Sequence, residues 1–388
     1  MTDNSIQQPQ SLMVEKQYFT FAQPPNEMVL DSGARLGPIT LAYESYGTLN
    51  EQKNNAVLVL HACTGDAHVA GHYSDENCST SKPGWWDNMV GPGKPIDTDR
   101  YFVICSNILG SCCGTTGPSS INPETGKPFG CSFPMVTIRD MVRAQKQLID
   151  HLEIKKIMAL IGGSVGGMQV LRWCVEYPEM VASAIPLATT TRHSAQAIAF
   201  NEVARQAIMT DPDWNNGDYY EGKGPHHGLA VARMIGHVTY LSDESMRNKF
   251  GRRLQNRSSV SFDFDVDFEI ESYLRHQGTK FVSRFDANSL LYITKAADYF
   301  DLESSEGCSL IDEKLSDTTF LVISFSSDWL YPTYQSKTLV SILKKNGCDV
   351  SFCEIEAQWG HDAFLLPNPR LNTIIEKFLL RISNEQGI

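Results

Sequence analysis

The sequence predicts an α/β fold, a mostly parallel central sheet flanked by helices and interrupted by a helical insertion. Three observations predict it. Short runs of Val, Ile, Leu and Phe are apolar at every position, as strands buried on both faces are. Two of these runs are joined by a stretch of helical period, which is the βαβ unit of a parallel sheet. The sheet-like texture then stops near residue 190 and resumes beyond 300.

In chain order, the polar, Gln-rich start reads as a mobile tail over 1–15. The first part of the sheet domain, 16–189, carries AVLVLH at 56–61, YFVICS at 101–106, IMALIGG at 157–163 and ASAIPLA at 182–188 as strands. Between the second and third runs, Ile138, Met141, Val142, Gln145, Leu148, Ile149 and Leu152 share one stripe at helical spacing. Residues 190–300 read as a helical lid, through HSAQAIAFNEVARQAIMTD, HGLAVARMIGHVTYLS and DANSLLYITKAADYF. The second part, 301–388, returns to strands with TFLVISF at 319–325 and VSFCEIEA at 350–357, separated by the helical TYQSKTLVSILKKNG.

Composition bounds the function. At 388 residues, with 42% hydrophobic and 20% charged side chains, the chain has the make-up of a folded enzyme and not of a disordered segment. Its formal net charge of -12 argues against a nucleic-acid partner, which needs clustered Lys and Arg. No run approaches the roughly 18 to 20 apolar residues of a membrane span, and the N-terminus lacks the basic start and apolar core of a signal peptide, so a cytoplasmic location is expected. The ten cysteines are scattered through apolar runs without paired zinc-ligand spacing; most read as reduced, buried thiols, and no metal is expected. Arg252, Arg253 and Arg257 form a local basic run that reads as a solvated helix face.

The chemistry concentrates in IMALIGGSVGGMQVLRW. Gly162, Ser164 and Gly166 satisfy G-x-S-x-G between an apolar strand and a helical stretch, the context of a nucleophile elbow in an α/β-hydrolase fold. Small neighbours are needed because a sharp strand-to-helix turn holds the serine in a strained conformation and brings other backbone close. A serine hydroxyl needs a histidine to take its proton, and that histidine needs an acid to orient it. Asp328 follows TFLVISF and His361 follows VSFCEIEA, so both lie just past strand ends, in the order serine, acid, histidine. The oxyanion donors expected are the backbone N–H groups of Val165 and of Cys63, the latter in the loop after the first strand run. His61 and His68 read as buried or loop-stabilising residues.

With these residues in place, the chain closely resembles the homoserine O-acetyltransferase family, including its succinyl-transferring branch. HACTGDAHVAG, PGWWDNMVGPGKPIDTDRYFVICSN, CCGTTGPSSINPETGKP, GGSVGGMQVLRW and ARMIGHVTYLS carry the resemblance, which extends over almost the whole chain after the first fifteen residues. It implies a ping-pong transfer of the acyl group of acetyl-CoA to L-homoserine through acyl-Ser164, with no permanently bound cofactor, in methionine biosynthesis. It also implies that Arg233 meets the substrate carboxylate, that Asp362 holds its ammonium, and that a homodimer forms through the inserted helices. Cys63 stands where the family usually has leucine. In the succinyl-transferring branch the residue two places after the catalytic Asp tends to be arginine; here it is Leu330, which favours the acetyl donor over succinyl-CoA.

Two other readings share part of this pattern. An esterase has the same three residues and differs in releasing free acid whether or not homoserine is present. A non-catalytic binding protein shares the fold alone, and the presence of all three residues argues against it.

Overall fold

The computed structural model describes residues 12–73, 82–303, 315 and 317–388. Eight strands form the central sheet: β1 (Gln17–Phe21), β2 (Ile39–Tyr46), β3 (Ala56–Leu60), β4 (Phe102–Ser106), β5 (Ile157–Gly163), β6 (Ser183–Leu187), β7 (Thr319–Phe325) and β8 (Val350–Ile355). Their spatial order is β1-β2-β4-β3-β5-β6-β7-β8. β2 is antiparallel to β1 and β4, and every other pairing is parallel. Leu58 of β3, at the centre, is opposite Ile104 on one side and Leu160 on the other. The α/β-hydrolase expectation is thus met, with six strands where the apolar runs lie and two more, β1 and β2, that those runs do not announce.

Both faces of the sheet are covered, which is why β3, β5 and β6 are buried at every residue and carry no polar alternation. Helices α1 (Ile138–His151) and α2 (Val165–Glu176) pack on one face around the buried Trp173; α9 (Pro369–Gln386) packs on the other, near Trp86. Each fully buried Leu, Ile or Phe in these layers contributes about 1.5 to 3 kcal/mol. The N-terminus of α1 is fixed by a capping box: the Thr137 hydroxyl accepts from the Asp140 amide at 3.2 Å, and the Asp140 carboxylate accepts from the Thr137 amide at 3.1 Å. Gln145 falls on the apolar stripe of α1 because it belongs to a buried amide chain. Trp173 Nε1 donates to Gln145, Gln145 to Gln169, and Gln169 to the carbonyl of His61. That chain ties both helices to the loop after β3.

Between β6 and β7 the described residues form five α-helices and no strand of the main sheet: α3 (Ala195–Met209), α4 (His226–Tyr240), α5 (Asp243–Lys249), α6 (Glu269–Val282) and α7 (Ala287–Asp298). Gly278 lets α6 approach α4 closely, since a Cβ there would meet Ala230 at 3.0 Å. Helix α8 (Thr333–Lys345) then links β7 to β8. The tail expected over 1–15 falls largely on residues outside those described; its last part contributes Met13–Val14, paired with His72–Tyr73. Among the described residues no helix is long and apolar enough to cross a membrane, and no group of three or more potential metal ligands occurs.

Candidate active site

Ser164 sits between β5 and α2 at φ 58° and ψ -124°, a left-handed conformation unusual for a residue with a side chain. The reason small residues surround it is explicit in the geometry. A Cβ on Gly166 would stand 2.0 Å from the Leu60 carbonyl oxygen, and one on Gly162 2.7 Å from the same atom and from the Gly166 backbone. The elbow is fastened by the Ser164 amide donating to the Leu187 carbonyl at 3.0 Å and by the Thr189 hydroxyl donating to the Ser164 carbonyl at 2.8 Å.

Asp328 and His361 meet at the same sheet edge. His361 Nδ1 lies 2.8 Å from Asp328 Oδ2, while Asp328 Oδ1 accepts from the Leu330 and Tyr331 amides at 3.0 and 2.9 Å. Both side chains are buried. Burial alone lowers an imidazole pKa, but the facing Asp328 carboxylate and its hydrogen bond outweigh it, and the His361 pKa is raised above its ordinary 6.5. The ring of His361 lies 5.1 Å from that of Tyr331, whose hydroxyl lies close to the Ser164 side chain.

The two oxyanion candidates flank this serine. Val165 opens α2, where the N–H groups of a helix's first turn lack intrahelical partners, and Cys63 lies in the loop after β3. Cys63 and Val165 line one cavity with Ser164, Tyr240, Leu330 and Tyr331. Burial pushes the Cys63 thiol up to about 12, so it stays neutral. His61 is fully buried, with Nδ1 2.8 Å from the Ala62 carbonyl oxygen and Nε2 accepting from the Ile108 amide; burial lowers its pKa. His68 bonds Glu44 at 3.0 Å. Both histidines brace the loop.

Arg233, on α4, donates to the Thr64 hydroxyl at 3.2 Å and lies 4.7 Å over the Phe281 ring. Asp362 follows His361 in the short 3₁₀ turn Gly360–Phe364. Burial raises the Asp362 pKa, while His361 and Arg233, both within electrostatic reach, pull it the other way. A cation and a carboxyl therefore stand within electrostatic reach of each other beside His361. Leu330 is buried and lines the cavity, close to the serine.

Sequence reasoning missed a second polar layer. The Tyr331 hydroxyl is 3.1 Å from His193 Nε2, and His193 Nδ1 is 3.1 Å from Asp298 at the end of α7. Asp298 also pairs with Arg205 of α3 at 2.7 Å and accepts from Asn201 at 2.7 Å. Arg205 and Asp298 are charged side chains on otherwise apolar helix faces, and that was the signal available.

Known proteins resemble this chain over most of its length. The family described as alpha/beta hydrolase fold matches residues 55–367. The homoserine O-acetyltransferase of Solidesulfovibrio magneticus is 63% identical over 371 residues, 95% of this chain and 93% of that protein. Among solved structures, a homoserine O-acetyltransferase from Bacillus anthracis aligns with a TM-score of 0.86 at 30% identity, over 95% of this chain and 98% of that one. Esterase E22 aligns with a TM-score of 0.85 at 32% identity, over 95% and 100%.

Proposed function

Because the chain belongs to the homoserine O-acetyltransferase family of α/β-hydrolase-fold enzymes, we propose that it moves the acetyl group of acetyl-CoA onto the hydroxyl of L-homoserine through acyl-Ser164. The observation that carries the residue assignment is the His361–Asp328 pair, bonded at 2.8 Å beside a serine in a strained elbow.

In the first half-reaction Ser164 Oγ attacks the thioester carbonyl and its proton passes to His361 Nε2. The developing oxyanion is held by the amides of Val165 and Cys63. The C–S bond breaks, His361 returns the proton to sulfur, and the free thiol leaves. In the second half the homoserine hydroxyl gives its proton to His361 and attacks acyl-Ser164. The product ester departs and Ser164 Oγ takes the proton back. Arg233 and Asp362 orient homoserine by its carboxylate and ammonium, a pairing that fixes an amino acid at both ends. The helices between β6 and β7 act as a lid that keeps water from the acyl-enzyme, and their outer faces pair two chains into a homodimer. The apolar Leu330 in the cavity supports acetyl over succinyl as the transferred group, since a second carboxylate there would have no cation to meet it. A cytoplasmic biosynthetic role in methionine formation completes the reading.

The likeness to an esterase keeps hydrolysis as the competing outcome of the same intermediate. Intact-protein mass spectrometry after mixing with acetyl-CoA alone should show one added acetyl group on the wild type and none on Ser164→Ala. Thiol release should then accelerate on adding homoserine, with O-acetylhomoserine as product. Acylation of the Ser164→Ala variant, or release of free acetate at a rate indifferent to homoserine, overturns the assignment.

A further inference from the structure

The chain is acidic overall, yet cations gather beside the loop that carries Cys63 and Thr64. Arg284 donates to the Thr64 carbonyl at 3.1 Å, one residue from the candidate oxyanion donor, and lies 5.1 Å from the Phe281 ring, whose other visitor is Arg233. On α6, Lys280 comes into hydrogen-bond range of Lys82, ammonium against ammonium. Lys249, at the end of α5, lies 4.4 Å over the Tyr273 ring. Arg233, Lys249, Arg284 and Lys280 all bear on His237, which burial and these four charges bring down to about 3.

None of Lys82, Lys249, Lys280 and Arg284 forms an ion pair with a described carboxylate. Asp66 is the acidic group whose field reaches Arg284, and Asp362 faces Arg233 further in. The basic run noted in the sequence behaves differently: Arg253 is paired with Glu269 at 2.8 Å, Arg257 with Asp267 at 2.5 Å, and Arg252 lies over Phe268. Arg253 and Arg257 are thus already neutralised by acids. Two exposed ammonium groups held together, with a guanidinium near them and no ion-paired carboxylate among the described residues, form an arrangement that repels itself until an anion enters.

We propose that Lys82, Lys280 and Arg284, with Lys249 beside them, form the subsite that binds the phosphate groups of the acyl donor's nucleotide half. The proposal rests on the reading that the donor is a CoA thioester. It separates two tasks that lie next to each other: Arg233, the half-buried inner cation, meets the acceptor, and the exposed outer cations meet the donor. A phosphate suits them because it presents several acceptor oxygens to converging charged donors. The same cations also concentrate an anionic donor around a protein whose net charge of -12 would repel it.

The test compares acetyl-CoA with S-acetyl-pantetheine, which has the same thioester and no phosphate, at saturating homoserine. In the Lys82→Ala/Lys280→Ala variant the ratio of kcat/KM for acetyl-CoA to that for S-acetyl-pantetheine should fall by about tenfold or more, chiefly through KM for acetyl-CoA. Lys82→Arg/Lys280→Arg should restore it. Adenosine 3′,5′-bisphosphate should bind the wild type by calorimetry and bind the alanine variant about tenfold more weakly, and the difference should shrink at high salt. An unchanged ratio with unchanged bisphosphate binding overturns the proposal, as does an equal loss with both donors. A wild type that releases no thiol from acetyl-CoA in the presence of homoserine would overturn the function itself, and bisphosphate binding would still decide whether these cations form a phosphate site.

Discussion

Ser164 is held at a positive φ that costs about 1 to 3 kcal/mol, and it persists because Leu187, Thr189 and the adjoining glycines leave the turn no other packing. His361, the base proposed for it, titrates in a direction that can be checked. The base must be neutral to accept the serine proton, and the raised pKa places the acidic limb of kcat/KM above pH 6.5, with activity rising as pH rises through it. Asp328→Asn removes the charge that raises the pKa and leaves burial, which lowers it. The limb should therefore move to lower pH while kcat falls about 10⁴-fold; a limb that stays in place would show that Asp328 does not set it. Leu330 offers a second single-residue test. Leu330→Arg should shift the donor ratio toward succinyl-CoA by about 1 to 3 kcal/mol, read as kcat/KM for both donors at saturating homoserine. An active variant with an unchanged ratio removes Leu330 as the determinant.

Among the elements, the strand β5 and helix α2 meet so closely that Gly166→Ala has nowhere to put its methyl group except into the Leu60 carbonyl of β3. Backing α2 away from β3 by even a fraction of that overlap displaces the elbow, and kcat should fall about a hundredfold or more with a lower urea midpoint of unfolding. Near-normal activity and stability would show that the backbone there yields freely. Most of the strands that were legible in the sequence are apolar on both faces; β8, at one edge, exposes Ser351 and Glu354 and was legible from its Val, Phe and Ile. β1 and β2 were not, for distinct reasons. β1 is an edge strand with three of its five residues exposed, and β2 buries Glu44, a residue that reads as surface until His68, Tyr46 and Tyr73 arrive to bond it. The places of Ser164, Asp328 and His361 were legible because each follows a strand end. The layer of Tyr331, His193 and Asp298 was not, since its contacts span 138 and 105 positions of chain and nothing local in the sequence marks them.

For the molecule as a whole, the helices between β6 and β7 present Ile198, Val203, Val231 and Val238 to solvent on the outer faces of α3 and α4. A homodimer through these faces predicts sedimentation at twice the chain mass, and Val231→Glu/Val238→Glu should sediment as a single chain; a wild type already at single-chain mass rules the pairing out. The division of the chain into sheet, helices and sheet was visible from texture alone, whereas the covering of α4 by α6 depends on Gly278 and was not. The same order has a bearing on synthesis. β6 is flanked in the finished sheet by β5 and β7, and β7 begins at Thr319, roughly 130 residues after β6 ends at Leu187. At about 5 to 20 residues per second a ribosome leaves that edge uncapped for roughly 6 to 26 seconds. Through this interval the nascent chain displays an apolar row of unpaired amides and carbonyls, and already holds Ser164 but neither Asp328 nor His361, the acid and base proposed to activate it.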